Sequence, residues 1–341
     1  MVGNPKNIHS SLGAANGNSA SLRLSEEVST VTATESGPPV LTEAQLSHLR
    51  DFGFLPLQKI VSTETVAEIY AIFEVLFASK VGFKEGAHFN LVGSEDDPNA
   101  PTLPTIFSPQ NYAESLRSSE FFVNAKALAH QILGPEARLE SDLVLMKPPV
   151  DGPATPWHQD EAFRNPRFDY NEVSIWMPLQ AVNQINGCME FIPGTNRGEV
   201  LPHRTPNNDP TVHILECYEG FDPATAVACP IPAGGCSLHC GRTVHGSGPN
   251  RSDKPRYAYV LVFTLPPTPA LNPRSRNWLK DKDTAHLRRM RHWLRRGGFI
   301  VALWREIKHT PPKDYWRVIS RMWRRAHSLG PLWKKKKPKA S

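Results

Sequence analysis

The 341-residue sequence predicts an α+β fold: helices first, then an antiparallel β core of the sandwich or barrel kind. Three observations carry this. Up to about residue 133, apolar residues recur at three- and four-residue spacing, the helical period. From Leu139 onward the period drops to two, the signature of strands. Short β-rich runs are then separated by Gly, Pro and Asn turns, and helices that precede such strands pack on one side of the sheet.

The elements follow in order. Residues 1–40 are rich in Ser, Asn, Gly, Ala and Thr and nearly devoid of large apolar side chains. They cannot bury enough surface to offset ordering entropy, so a disordered tail is expected. Thr42 and Gln45 form a capping-box pattern, Leu46 and Leu49 give an apolar stripe, and Gly53 breaks the helix. Val66, Ile69, Tyr70, Phe73, Leu76 and Phe77 predict a second helix over 62–80. Residues 84–112 are Gly-, Asp-, Pro- and Asn-rich and are expected to be loop. A third helix, about 118–133, is closed by Gly134-Pro135. Leu139, Ser141, Leu143, Leu145 and Lys147 then alternate with Glu140, Asp142, Val144 and Met146. Val173, Ile175, Met177 and Leu179 alternate with Ser174, Trp176 and Pro178. Further β-rich runs cover 189–192, 235–240 and 257–265.

Composition excludes several classes. No run of about 18 apolar residues exists, so a spanning helix is excluded. The first ten residues lack the charged-then-apolar pattern of a secretory signal. Five scattered cysteines without a CxxC pair argue against a disulfide scaffold or finger-type zinc, and a reducing, cytoplasmic compartment is expected. Cys188, Cys236 and Cys240 read as small buried apolar residues.

The net charge of +6 conceals an asymmetry. Residues 272–341 hold 21 Lys and Arg against four Asp and Glu, together with six of the eight tryptophans. That segment carries +17 and the remainder −11. The expected organisation is therefore a tail (1–40), a catalytic domain (41–271) and a basic helical extension (272–341). In the extension, Tyr315, Val318, Ile319, Met322 and Trp323 share a helical face, as do Leu287, Met290, Trp293 and Leu294. Two readings stay open: a helical extension packed on the domain, or a peripheral contact with an anionic membrane surface. Nucleic acid is disfavoured, because no recognised binding module is present.

The informative chemistry begins at Trp157-His158-Gln159-Asp160. In an extended segment, residues i and i+2 face the same way, so His158 and Asp160 converge. His245 follows 87 residues later in Val244-His245-Gly246-Ser247-Gly248. Two imidazoles and one carboxylate make the facial triad of non-haem Fe(II) oxygenases, which leaves positions open for oxygen and a co-substrate. Arg256 opens an apolar strand eleven residues after His245. A guanidinium there requires an anionic partner, and a carboxylate matches its fork. Ser247 is placed to add a hydroxyl. His239 is expected near the site, in a supporting or core position.

The chain resembles the phytanoyl-CoA dioxygenase family of Fe(II)- and 2-oxoglutarate-dependent oxygenases over about residues 41–265. The matching stretches are Lys147-Pro148-Pro149, Trp157 to Asp160, Asn186 to Thr195, and His245 to Ser252 on to Arg256. The resemblance implies a double-stranded β-helix, the cupin-like jelly roll, with flanking N-terminal helices. It implies His158, Asp160 and His245 as the iron ligands and catalytic centre. It implies Arg256 and Ser247 as contacts to the far carboxylate of 2-oxoglutarate, with Trp176 and Leu143 beside that co-substrate. Leu143 stands where several members carry methionine. An upstream lysine contact used by some members has no evident counterpart in 84–112. Fe(II), 2-oxoglutarate and O2 are the implied reactants, and Asp160 disfavours a halogenase, which lacks the carboxylate. The expected activity is oxidation of a small or lipid-like organic substrate, with succinate and CO2 released. The alternative is a catalytically silent relative that binds membrane or nucleic acid through its basic tail; the intact triad and Arg256 favour the enzyme.

Overall fold

The structure is a computed structural model. It describes residues 37–272 except 95, 96, 98 and 210, then residues 274–279 and the isolated positions 304, 315, 316 and 319. The expected disordered tail before residue 37 and the two expected amphipathic helices after residue 280 lie outside the described residues, apart from those isolated positions.

The described helices do not all precede the strands as the helical period suggested: one strand follows the first helix and two more precede the third. In α1 (Glu43–Phe52), Thr42 Oγ1 accepts the Gln45 N–H and Gln45 Oε1 accepts the Thr42 N–H, so both halves of the capping box form. Gly53 ends the helix with φ of 84°. A Cβ there would lie 2.5 Å from Thr243 Oγ1, so the break is both conformational and steric. Helices α2 (Thr63–Ala78) and α3 (Glu120–Leu133) are capped by Ser62 and Ser119.

The strands are β1 (Phe54–Leu57), β2 (His88–Asn90), β3 (Pro104–Phe107), β4 (Arg138–Lys147), β5 (Thr155–His158), β6 (Phe168–Asp169) and β7 (Glu172–Pro178). They continue with β8 (Met189–Phe191), β9 (His203–Arg204), β10 (Glu216–Cys217), β11 (Val227–Cys229), β12 (Cys236–Cys240), β13 (His245–Ser247), β14 (Arg256–Thr264) and β15 (Thr268–Pro269). The large sheet has the order β1-β12-β7-β14-β4-β3-β2, and the facing sheet β11-β8-β13-β5. Every named pair in both sheets is antiparallel. This is the jelly roll that the resemblance implied.

Alternation sorts the core. On β14, Tyr257, Tyr259, Leu261 and Phe263 pack with the helices, while Ala258, Val260 and Val262 face the second sheet. On β7, Val173, Ile175 and Met177 join the helix side and Trp176 the inner side. Arg256 shares the parity of the inner residues, so the period of the strand alone places a guanidinium between the sheets.

Two expectations need correction. Residues 84–112 are not all loop: β2 and β3 extend the large sheet as a hairpin, with Phe89 and Ile106 buried. Both strands are too short for a period-2 pattern to register. The alternation assumed along 139–147 is also interrupted. A register shift pairs Val262 with Ser141 but Phe263 with Leu139, which skips Glu140 and turns Leu139 to the helix side.

Candidate active site

His158 closes β5 and His245 opens β13, and the two are direct cross-strand partners. Asp160 lies outside the strand. It starts a 3₁₀ turn, Asp160–Phe163, so the i, i+2 argument does not apply in its simple form. The turn nevertheless folds its carboxylate back. Asp160 Oδ1 lies 3.8 Å from His158 Nε2 and 3.7 Å from His245 Nε2. One donor atom from each of the three residues falls within 4.8 Å of the others, so this donor set suits a divalent metal.

The surroundings fix which atoms are on offer. His158 Nδ1 lies 2.8 Å from the Pro156 carbonyl, and His245 Nδ1 lies 2.8 Å from that of Thr243. A carbonyl accepts only, so each Nδ1 carries the proton and each Nε2 turns its lone pair to Asp160. Ser174 Oγ donates to Asp160 Oδ2 at 2.7 Å, and His239 Nε2 lies 3.3 Å from the same oxygen. Oδ2 is held, and Oδ1 is left for an incoming cation. Burial lowers the pKa of His158, and burial with the neighbouring His158 and His239 lowers that of His245 well below 6.5. Burial alone would raise the Asp160 carboxyl. The imidazoles of His245, His239 and His158 outweigh it and hold the group well below 3.8. The set is thus two neutral imidazoles and one carboxylate at neutral pH.

Arg256 is 2% exposed, and its Nε and Nη1 have no hydrogen-bond partner among the described residues. The Trp176 ring lies 5.4 Å from its guanidinium carbon. Burial pulls the Arg256 pKa down to about 9. Its cross-strand neighbour is Lys147, fully buried, whose Nζ donates to Ser247 Oγ at 2.8 Å and to the Ser247 and Gly248 carbonyls. Burial and Arg256 together lower the Lys147 pKa well below 10.5. Like charges opposed across a ladder are destabilising, so this face is built for an anion.

His158, Asp160, His245, Arg256, Ser247, Trp176 and Leu143 all line one cavity of about 600 Å³. The sequence-predicted residues are therefore brought together. His239 is buried against Asp160, as expected of a supporting residue. Sequence reasoning missed two groups. Ser174 was assigned to a strand without a role, although its parity with Trp176 turns it inward. Lys147 stands both in the β4 alternation and in the Lys147-Pro148-Pro149 stretch without a role, although a lysine in register with Leu143 and Leu145 is itself a signal. Residues 84–112 contribute Leu91, Leu103 and Phe107 to the cavity and no lysine, so the upstream contact has no counterpart there among the described residues.

The family profile described as Phytanoyl-CoA dioxygenase (PhyH) matches residues 49–258, more than half of the chain. The chain belongs to the phytanoyl-CoA dioxygenase family. It is a 2-oxoglutarate-dependent non-haem iron oxygenase, a class that uses Fe(II), 2-oxoglutarate and O2. A probable alpha-ketoglutarate-dependent hypophosphite dioxygenase from Stutzerimonas stutzeri is 27% identical over 216 residues, 62% of this chain and 74% of that protein. The peroxisomal phytanoyl-CoA dioxygenase of Bos taurus is 24% identical over 66% of this chain and 68% of its own. Among solved structures, EvdO2 from Micromonospora carbonacea var. aurantiaca, complexed with 2-oxoglutarate, is 32% identical. It covers 72% of this chain and 98% of its own, with a TM-score of 0.61. The carbocyclase SnoK, 21% identical over 67% of this chain and 87% of its own with a TM-score of 0.53, shares the fold.

Proposed function

We propose that His158, Asp160 and His245 hold the iron, that Arg256 and Ser247 receive the far carboxylate of 2-oxoglutarate, and that the substrate is an uncharged, largely apolar organic molecule. The observation that carries this reading is the pairing of a converged His-Asp-His set with an unpartnered buried guanidinium on one cavity. The bound iron would supply activation of O2, with 2-oxoglutarate consumed to succinate and CO2 and a substrate C–H bond oxidised.

The residues supply the rest. Lys147 donates to Ser247 Oγ, which leaves the hydroxyl proton free to be given to a carboxylate. Arg256 offers a planar fork to the same group, and Trp176 walls it. Leu143 and Val260 close the apolar side. Ser174 and His239 keep Asp160 from rotating, so the donor set is preorganised rather than gathered on demand.

The substrate side of the cavity is formed by Leu91, Leu103, Phe107, Phe163 and Ile214. Arg164 also reaches it, yet Glu172 at 2.7 Å and Glu140 at 3.1 Å neutralise its charge. An apolar wall with its nearby cation already paired favours a neutral, lipid-like molecule over a polyanionic thioester. Iron content, 2-oxoglutarate binding and succinate release in the presence of neutral apolar compounds test the proposal. A wild-type chain that binds no Fe(II), or a His158→Ala variant that binds it as tightly as wild type, would refute it.

A further inference from the structure

The chain does not leave the domain at residue 271. Residues 274–279 lie across the turn that carries Asp160. Arg276 Nη1 donates to the carbonyl of Glu161 and, at 3.0 Å, to that of Arg164; its Nη2 lies 3.1 Å from Glu161 Oε1. Trp278 Nε1 donates to the Ala162 carbonyl at 3.0 Å. The Trp278 ring lies 5.6 Å from that of His203, whose Nε2 accepts the Gln159 N–H at 3.1 Å. Main-chain groups of residues 159, 161, 162 and 164 are therefore held from outside, three by this segment and one through His203. Glu161 is the anchor. Its buried carboxylate takes Arg276 on one side and Arg242, at 2.7 and 3.1 Å, on the other.

The three proposed ligands differ in how their backbones are fixed. His158 and His245 sit in a β ladder. Asp160 sits in a four-residue 3₁₀ turn, a short and weakly bonded element. Its side chain is also the most exposed of the three, 28% against 10% and 3%. The one ligand without a ladder is the one that the segment supports.

We propose that residues 274–279 are a positioning strap, in which Arg276 and Trp278 hold the Asp160 turn so that Oδ1 faces the metal. This rests on the reading that His158, Asp160 and His245 bind the ion. Neither side chain reaches the donor atoms; both act through the backbone of the turn. Partners that orient a ligand from outside typically set about 10- to 100-fold in metal affinity.

The test uses the full-length chain, stripped of metal and titrated with Co(II) as a spectroscopic probe. Trp278→Phe keeps an aromatic ring beside His203 but removes the N–H; Arg276→Gln removes the charge that meets Glu161. Each should weaken Co(II) binding by about 10- to 100-fold. For Trp278→Phe, the melting temperature of the metal-free protein should stay near that of wild type, and the KM for 2-oxoglutarate should move far less than kcat. Co(II) affinity within about threefold of wild type in both variants overturns the strap, as does a Trp278→Phe loss fully matched by a fall in melting temperature. If Arg276→Gln fails to fold, Trp278→Phe alone decides. A wild-type chain that binds no Co(II), or binds it equally after His158→Ala, refutes the metal site itself; normal wild-type binding with unchanged variants refutes only the strap.

Discussion

Arg256→Met should make the protein more stable without 2-oxoglutarate and far poorer at binding it. The guanidinium is 2% exposed, lacks partners on Nε and Nη1 among the described residues, and opposes a second buried cation, Lys147. Its pKa falls from 12.5 to about 9. At about 1.36 kcal/mol per pH unit, that fall corresponds to roughly 5 kcal/mol of electrostatic cost. Water in the cavity screens part of this, and methionine forfeits the contact with Trp176, worth about 0.5–2 kcal/mol. A net gain of about 2 kcal/mol is a working figure, which for a domain of this size raises the melting temperature by roughly 4–8 °C. With 2-oxoglutarate the sign reverses. Removing one partner of a buried charge pair costs about 2–5 kcal/mol, or roughly 30- to several-thousand-fold in affinity. Arg256→Lys should restore charge without the fork and recover binding only in part. Thermal melts with and without 2-oxoglutarate, beside a 2-oxoglutarate titration of succinate release, read both effects. An unchanged 2-oxoglutarate requirement would move the clamp to another residue. A lowered melting temperature in the co-substrate-free variant would refute the unpaired-cation argument.

His158→Ala and Asp160→Ala should each abolish iron-dependent succinate release while the β-sheet circular dichroism persists; full turnover in either sinks the triad. In the metal-free protein His158 and His245 should cost stability as pH falls below 6.5, because burial lowers their folded-state pKa and the unfolded chain then binds more protons. Glu172, which burial raises to about 7, pulls the other way, so the reading is the difference between wild type and His158→Ala in melts from pH 7.5 to 5, and an equal pH dependence in both would contradict it. A chain ending after residue 280 should keep its fold and metal affinity, whereas one ending at 273 loses Arg276 and Trp278 and should bind metal more weakly. If the basic extension docks on membranes, the chain ending at 280 should cease to sediment with anionic vesicles, and the full chain's binding should weaken with salt; a full chain that ignores such vesicles at low salt removes that reading.

The strand alternation and the capping signals made most of the architecture legible. Thr42, Gln45 and Gly53 mark α1 because each satisfies a local backbone requirement, and local requirements are written locally. Period-2 runs mark β4 and β7 and a β-rich apolar run marks β14, whereas the parity that sets Arg256 between the sheets shows only once the two faces of β14 are assigned. What failed to show has physical reasons. Strands β2 and β3 are three and four residues long and owe their pairing to an existing edge, β4. The bulge at Glu140 depends on a partner strand more than a hundred residues away. Asp160 does converge on His158, but a turn rather than a strand aims it. The strap was hidden because the charge and tryptophan content of 272–341 suggested a separate segment, while Arg276 and Trp278 are spent on backbone carbonyls of the domain.

The direct pairing of His245 with His158 across the β13–β5 ladder has a consequence for assembly. The two residues are 87 positions apart, so no local fragment of the chain holds two of the proposed imidazoles at once. The pair forms only after β13 has docked between β8 and β5, a step that bears the entropy of closing a long loop and gains it back through ladder and core. On the proposed ligand set, an ion would find only His158 and Asp160 near each other before this step, so it is expected to enter a finished barrel. Maturation should then separate into two stages, a metal-independent collapse and a later loading through the cavity. Loading rate should then follow ion concentration and access rather than refolding, and one batch of metal-free protein should accept different divalent ions in turn without being unfolded between them.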